Sequence, residues 1–489
     1  MKQYRFHFII GSQYLYGEAT LRQVNEHAQI MVEGLNRNPS IPCTIVYKPC
    51  VKTSAEISAV INDANNDEAC AGIITWMHTF SPSKMWIAGL AALRKPYLHV
   101  NTQFNRDIPW GDIDMNFMNL NQSAHGDREH GYIAARMRLP RKVIAGHWQD
   151  ETFAAEVGAW MRPAVGAVES KRLRVMRISD NMRDVAVTEG DKIEAQLKLG
   201  WQVDHYGIGD IVDATDKVTE TEIDAQMAEY ESFYKTDTDK KEAVRYQAKL
   251  EIAIKSLLDL GAFGAFHTNF QDLHGLKQLP GLAVQDLSRQ GYGFAAEGDW
   301  KTAALARTMK LMAQDLTGGT AFMEDYTYHF EQGNEMILGA HMLEVCPTLA
   351  ADQPKIQVHP LGIGDKEPPA RAVFKAKSGK AIVVSLVDMG NRLRMIVNDI
   401  ECVNQPQDMP NLPVAAVLWK PQPCLKTSAE AWILAGGAHH SVLSFDLTAQ
   451  QMADFAEITG LEFIYINKNT NIPDFRKELF VNDAVWRMQ

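Results

Sequence analysis

Over the first 150 residues, short β-branched runs alternate with amphipathic stretches, and this alternation predicts the fold. Phe6 to Ile10 reads as a strand, followed by a helix with Leu21, Val24, Ala28 and Leu35 at helical spacing and Thr20-x-x-Gln23 as its capping box. Then come a strand Ile41 to Tyr47, a helix opened by Thr53-x-x-Glu56, a strand Ala71 to Trp76, a helix Lys84 to Leu93 and a strand Tyr97 to Val100. Such βαβαβαβ order predicts a doubly wound parallel sheet, whose ligands lie beyond the carboxyl ends of the strands. The segments after those ends, Gln13-Tyr14-Leu15-Tyr16-Gly17, His78-Thr79-Phe80 and Thr102-Gln103-Phe104, read either as one binding edge or as ordinary capped loops.

A second α/β pattern begins at Arg174 to Ile178, continues through a helix introduced by Thr188-x-x-Asp191, and holds a charged segment, Lys235 to Glu242, that reads as a surface loop. From about 355 the pattern turns to β. Ala381 to Val387 and Leu393 to Val397 form a hairpin across Met389-Gly390-Asn391, before a loop with Pro406, Pro410 and Pro413. The expected class is α/β: two doubly wound Rossmann-like/flavodoxin-like α/β domains, 1–170 and 171–325, followed by a mainly β C-terminal domain, 326–489.

Composition narrows the partners. The 489 residues are 46% hydrophobic and 22% charged, as in an ordinary globular protein, and 49 basic against 60 acidic residues give a net charge of −11. That balance argues against attraction to nucleic acid or an anionic membrane and points to a small or uncharged partner. Six cysteines without a C-x-x-C pair read as reduced core residues. The apolar run before Gly11 is too short for a secretory leader and no 18 apolar residues run together, so a soluble cytoplasmic protein is expected.

Several motifs lead nowhere. Gly291-x-Gly293-x-x-Ala296 matches a dinucleotide fingerprint, but a helical run, Leu287 to Gln290, precedes it where the fingerprint needs a strand. Gly362-Ile363-Gly364-Asp365-Lys366 lacks the spacing of a phosphate loop. Other positions carry more. At period two, Glu324 shares a face with Phe322, Tyr326, Tyr328 and Phe330, so the carboxylate must be paired, protonated or metal-bound. An Arg salt bridge satisfies it equally well. Glu297 enters a glycine turn from an apolar run, as a ligand or as a turn acid. His341 alternates with Leu343 and Val345 and points inward, as a ligand or a hydrogen-bonded core residue. His439 and His440 follow a strand-like run and a flexible Gly-Gly that permits close approach to a ligand, and alternation should bring only one of them to a site. Two carboxylates and two imidazoles without thiolates suit Mn²⁺, Co²⁺ or Fe²⁺ better than Mg²⁺.

At these residues the chain resembles the L-arabinose isomerase family over essentially its whole length. The resemblance is carried by Ile10 to Gly17, His78-Thr79-Phe80-Ser81-Pro82, Asn119 to Gly126, Gly298-Asp299-Trp300-Lys301-Thr302-Ala303, Glu324 to Phe330 and Gly436 to His440. Position 14 departs, with Tyr14 where some members have His. The resemblance implies that Glu297, Glu324, His341 and His440 bind one divalent metal, usually Mn²⁺ with Co²⁺ or another divalent ion able to substitute. It makes Glu297 and Glu324 the acid/base pair as well, with no organic cofactor. It further implies sugar contacts from Gln13, Leu15, Phe80, Gln122, His125, Met182 and Phe270, and a homohexamer whose active sites use adjoining subunits. The implied reaction is L-arabinose to L-ribulose through an enediol, with D-galactose to D-tagatose as a side activity. The rivals are an isomerase of a related aldose such as L-fucose and a non-catalytic sugar-binding protein.

Overall fold

The computed structural model describes residues 1–362 and 365–488, so the Gly362 to Lys366 motif lies partly outside the described residues. The chain divides into two compact units, Met1–Val168 and a second from Glu169 onward. In the first unit a five-stranded parallel sheet runs Thr44–Tyr47, Arg5–Ile10, Cys70–Trp76, Tyr97–Asn101, Lys142–Ala145. This 2-1-3-4-5 order is flavodoxin-like, with its switch point between the Arg5–Ile10 and Cys70–Trp76 strands. Cys70–Trp76 is buried at every position, which is why it reads as a continuous apolar run, whereas Lys142–Ala145 is half exposed and escaped the sequence pattern. Ile57, Ile61, Ile73, Trp86 and Leu90 pack together on one side.

Local chemistry sets the helix starts, and two expected caps are corrected. The Gly17–Arg37 helix begins three residues before Thr20, because a 3-10 turn, Tyr14–Tyr16, already supplies its first bonds. Thr53 does cap the Ser54–Asn66 helix, accepting from the Glu56 amide, but the Glu56 carboxylate reaches the Lys52 amide at 2.6 Å, one residue before the cap. In the second unit Asp191, not Thr188, caps Lys192–Leu199, since Thr188 lies in a 3-10 turn, Ala186–Thr188. Lys84 to Leu93 resolves into a 3-10 turn, Ser83–Trp86, and a short helix, Ile87–Ala91.

The second unit opens with a four-stranded parallel sheet ordered Gly293–Ala295, Ala265–His267, Arg174–Ile178, Gln202–Tyr206. A seven-stranded sheet follows, ordered Gly379–Asp388, His440–Ser444, Thr320–His329, Met336–Ala340, Ala416–Pro421, Leu393–Val403, Glu462–Ile466. Pairing of Gly379–Asp388 with Leu393–Val403 closes six of these strands into a ring, and Glu462–Ile466 pairs with Leu393–Val403 outside it. The hairpin expected around Met389 to Asn391 is there. The β pattern, however, starts at Thr320 rather than near 355, and the Thr320–His329 strand crosses the expected 325/326 boundary. Lys235 to Glu242 is not simply a loop: Lys235–Thr236 adds a short parallel strand to Lys355–Val358, and the Lys241–Leu260 helix begins inside it.

Candidate metal centre

Two elements of the second unit carry Glu297 and Asp299. The Gly293–Ala295 strand ends in a turn where Glu297 adopts φ +59° and Gly298 φ +85°. A left-handed glutamate costs about 1–3 kcal/mol of strain and persists only where its surroundings hold it. Here the Met182 amide donates to the Glu297 carbonyl at 2.9 Å and the Gly298 amide to the Thr268 carbonyl at 3.0 Å. Asp299 then caps the Trp300–Met312 helix, accepting from the Thr302 amide and hydroxyl at 3.2 and 2.7 Å.

Antiparallel register delivers the rest. Glu324, within Thr320–His329, stands opposite Ala340 on one side and His440 on the other, and His341 is the residue after Ala340. Glu324 Oε2 lies 3.6 Å from His341 Nε2, and Glu297 Oε2 lies 3.6 Å from His440 Nε2 and 3.4 Å from His439 Nε2. The Phe322 ring stands steeply inclined to both imidazoles, 5.3 Å from His341 and 5.1 Å from His440 between centroids. Phe270 stacks on His341 at 5.7 Å with the rings 9° from parallel.

The outer ring nitrogens are held by carboxylates: His341 Nδ1 by Glu344 at 2.5 Å and His440 Nδ1 by Asp299 at 3.0 Å, both acids buried. Such a partner fixes Nδ1 as the donor and leaves the Nε2 lone pair facing the centre. His440 Nε2 is buried without a hydrogen-bond partner, and Glu297, His439 and His440 bring donor atoms within 4.8 Å of one another. An orphaned imidazole nitrogen beside carboxylates, with no thiolate, fits a divalent first-row cation.

The environments also separate the two glutamates. A hydrogen bond from His439 holds the Glu297 carboxyl below the usual range against the effect of burial, with His440 and His341 adding to it. Burial pushes Glu324 upward, more than the nearby histidines pull it down. Burial acts to lower His341, yet Glu344 prevails and raises it, and the Glu297 hydrogen bond raises His439.

Three expectations about the site change. His439 approaches Glu297 as closely as His440 does, because His440 is the first residue of its strand and His439 precedes it, so strand alternation does not separate them. The run before Gly436 is a helix, Leu425–Leu434, and a Cβ on Gly437 would lie 2.4 Å from the Trp432 indole, so that glycine serves packing rather than approach to a ligand. The aromatic face around Glu324 stops at Phe322, for Tyr326, Tyr328 and Phe330 are exposed. A bulge between Asp325 and Thr327 adds one residue, which moves Tyr328 to the opposite face.

Of the expected sugar contacts, Met182 and Phe270 lie in the second unit beside Glu297 and His341. Gln13, Leu15, Phe80, Gln122 and His125 lie in the first unit, after the Arg5–Ile10 and Cys70–Trp76 strands and at the start of the Ser123–Arg136 helix. There Gln122 donates to the Tyr16 hydroxyl at 2.9 Å and its amide to the His78 carbonyl at 2.8 Å. Phe80 and His125 rings stand 4.7 Å apart. Asp299 and Glu344 were missed by sequence reasoning; the available signal was an acid two or three residues beyond a candidate ligand. Of the six cysteines five are buried and Cys424 is exposed, a correction to the all-core reading.

Family models match nearly the whole chain: the L-arabinose isomerase N-terminal domain over residues 1–172, its central domain over 174–315 and its C-terminal domain over 319–462. Among curated proteins, the L-arabinose isomerase of Clostridium beijerinckii is 57% identical over 488 residues, covering 100% of this chain and 99% of the relative. Those of Geobacillus thermodenitrificans and Bacillus subtilis are each 56% identical, with the same coverage.

Proposed function

The chain belongs to the L-arabinose isomerase family, and from that premise we propose that it interconverts L-arabinose and L-ribulose at the centre formed by Glu297, Glu324, His341 and His440. The observation that carries the reading is the approach of Glu324 to His341 and of Glu297 to His440, each at 3.6 Å, with Glu324 and His440 paired across neighbouring strands. They would hold one divalent cation, Mn²⁺ by preference with Co²⁺ able to substitute, which when bound supplies Lewis acidity at the two sugar oxygens. The reaction moves a proton from C2 to C1 and the proton of the O2 hydroxyl to O1, through an enediol. One glutamate takes the C2 proton while the other returns a proton to C1, and each positioned acid or base contributes roughly 10²–10⁴-fold.

Phe322 and Phe270 exclude water around the imidazoles, which strengthens every charge interaction inside. Met182 and Phe270, with Gln13, Leu15, Phe80, Gln122 and His125, would bind the sugar. We place the enzyme in the cytoplasm as a homohexamer with active sites at subunit interfaces. Leu15 and Trp110, 82% and 83% exposed in the single chain, are surfaces that such an assembly would cover. Among the described residues no helix is long and apolar enough to cross a membrane. The test is ketose formation with Mn²⁺ from L-arabinose, D-galactose and L-fucose. Turnover should be highest for L-arabinose with some D-tagatose from D-galactose, and preference for L-fucose or D-galactose would overturn the substrate assignment.

A further inference from the structure

Lys301 is buried, with only 1% of its side chain exposed, although a lysine is seldom enclosed without a partner. Its ammonium donates to three consecutive backbone carbonyls, Val187 at 3.0 Å, Thr188 at 3.0 Å and Glu189 at 2.6 Å, using all three of its hydrogens. Helix capping does not require it, because Asp299 already caps the Trp300–Met312 helix. What the ammonium grips is the far end of a segment that lies against the Glu297 turn. Asn181, at the near end, donates from Nδ2 to the Thr188 carbonyl at 2.5 Å and to the Gly298 carbonyl at 3.3 Å. Met182 donates its amide to the Glu297 carbonyl at 2.9 Å. Packing there is tight: a Cβ on Gly298 would lie 2.4 Å from Asn181 Cα, and one on Gly190 3.0 Å from Lys301 Cδ. The same ammonium stands 3.4 Å from Asp299, whose other oxygen holds His440 Nδ1.

We propose that Lys301 is a positioning residue for the metal centre. By pinning residues 187–189 it closes a bracket, from Asn181 to Glu189, that holds Glu297 in its left-handed conformation with its carboxylate aimed at His440. This rests on the reading of Glu297 as a metal ligand. A released bracket lets the Glu297 backbone relax toward φ below zero, which turns the carboxylate away while leaving the helix and both sheets in place.

The experiment uses the full chain. Mn²⁺ is titrated calorimetrically into metal-free wild type and Lys301→Met, which keeps an apolar stem but removes the ammonium, with kcat and KM measured on both. Groups that orient metal ligands are worth roughly 10–100-fold in affinity, so Mn²⁺ binding should weaken at least about tenfold. Exchange of the Met182 amide with solvent should accelerate. A purely structural staple would lower Tm and leave the Mn²⁺ affinity unchanged, and that result overturns the inference. Asn181→Ala opens the same bracket from its other end, so it should weaken Mn²⁺ binding in the same direction and serves if Lys301→Met does not fold. The two losses should be non-additive in the double variant, and full additivity would contradict a shared bracket. Wild type that takes up no Mn²⁺ removes the metal-site reading itself, whereas normal wild-type uptake with unaltered variants removes only this inference.

Discussion

Glu297 and Glu324 show how much a carboxylate's behaviour depends on its neighbours: one is stabilised as an anion by His439, the other is driven toward its protonated form by burial. Replacing either by Ala should abolish ketose formation while far-UV circular dichroism stays at wild type, because Thr320–His329 and the Glu297 turn are held by backbone bonds. A variant with wild-type turnover would remove that glutamate from the mechanism. A second acid allows a separate test. Glu251 is buried, accepts from Tyr230 at 2.5 Å, Gln290 at 2.7 Å and Gln226 at 3.2 Å, and lies near Asp286, which Arg289 and Tyr234 hold ionised. Burial, reinforced by Asp286, pushes Glu251 well above the usual carboxylate range. The folded protein therefore binds a proton that the unfolded chain releases above about 4.5. Stability from this group is complete below that value and is lost as pH rises toward the folded pKa. Glu251→Gln removes the titration, so the Tm of the variant minus that of wild type should increase from about pH 5 to about pH 8. A difference that falls over that range would contradict the sign.

Elements assemble the site through register. Placing Glu324 opposite both Ala340 and His440 sets it between the strand that leads into His341 and the strand that begins at His440, and a slip of one residue would turn Glu324 to the other face. Strands were legible wherever burial produced a continuous apolar run, as in Cys70–Trp76 and the Gly379–Asp388 hairpin. Bulges and most helix starts were not, because each turns on a single hydrogen bond that leaves no repeating pattern, as Thr20 and Thr188 show, although Thr53 does cap its helix as expected. Helix packing offers a further test. Gly158 lies inside the Glu151–Ser170 helix, where alanine would gain about 1 kcal/mol of propensity. A Cβ there would stand 1.9 Å from the Ser40 carbonyl oxygen, a backbone atom that has no rotamer to yield. Overpacking wins, and Gly158→Ala should lose roughly 1–3 kcal/mol in denaturant unfolding. Equal or higher stability would mean that the Ser40 segment shifts freely.

At the scale of the whole molecule, metal binding and stability are linked. Chelation should abolish turnover reversibly and lower Tm, and Mn²⁺ at 100 times its Kd should restore about 2.7 kcal/mol relative to the metal-free protein. Turnover that survives complete metal removal would refute the proposed chemistry. Donor chemistry and most of the element order were decided by residue type and local period, since both are properties of short stretches of chain. The approach of Glu324 to His341 and of Glu297 to His440, the entry of His439, and the carboxylates behind the two imidazoles were decided only in three dimensions. Cross-strand register and a strained turn join residues far apart in the chain, and no local periodicity encodes which distant positions will face each other.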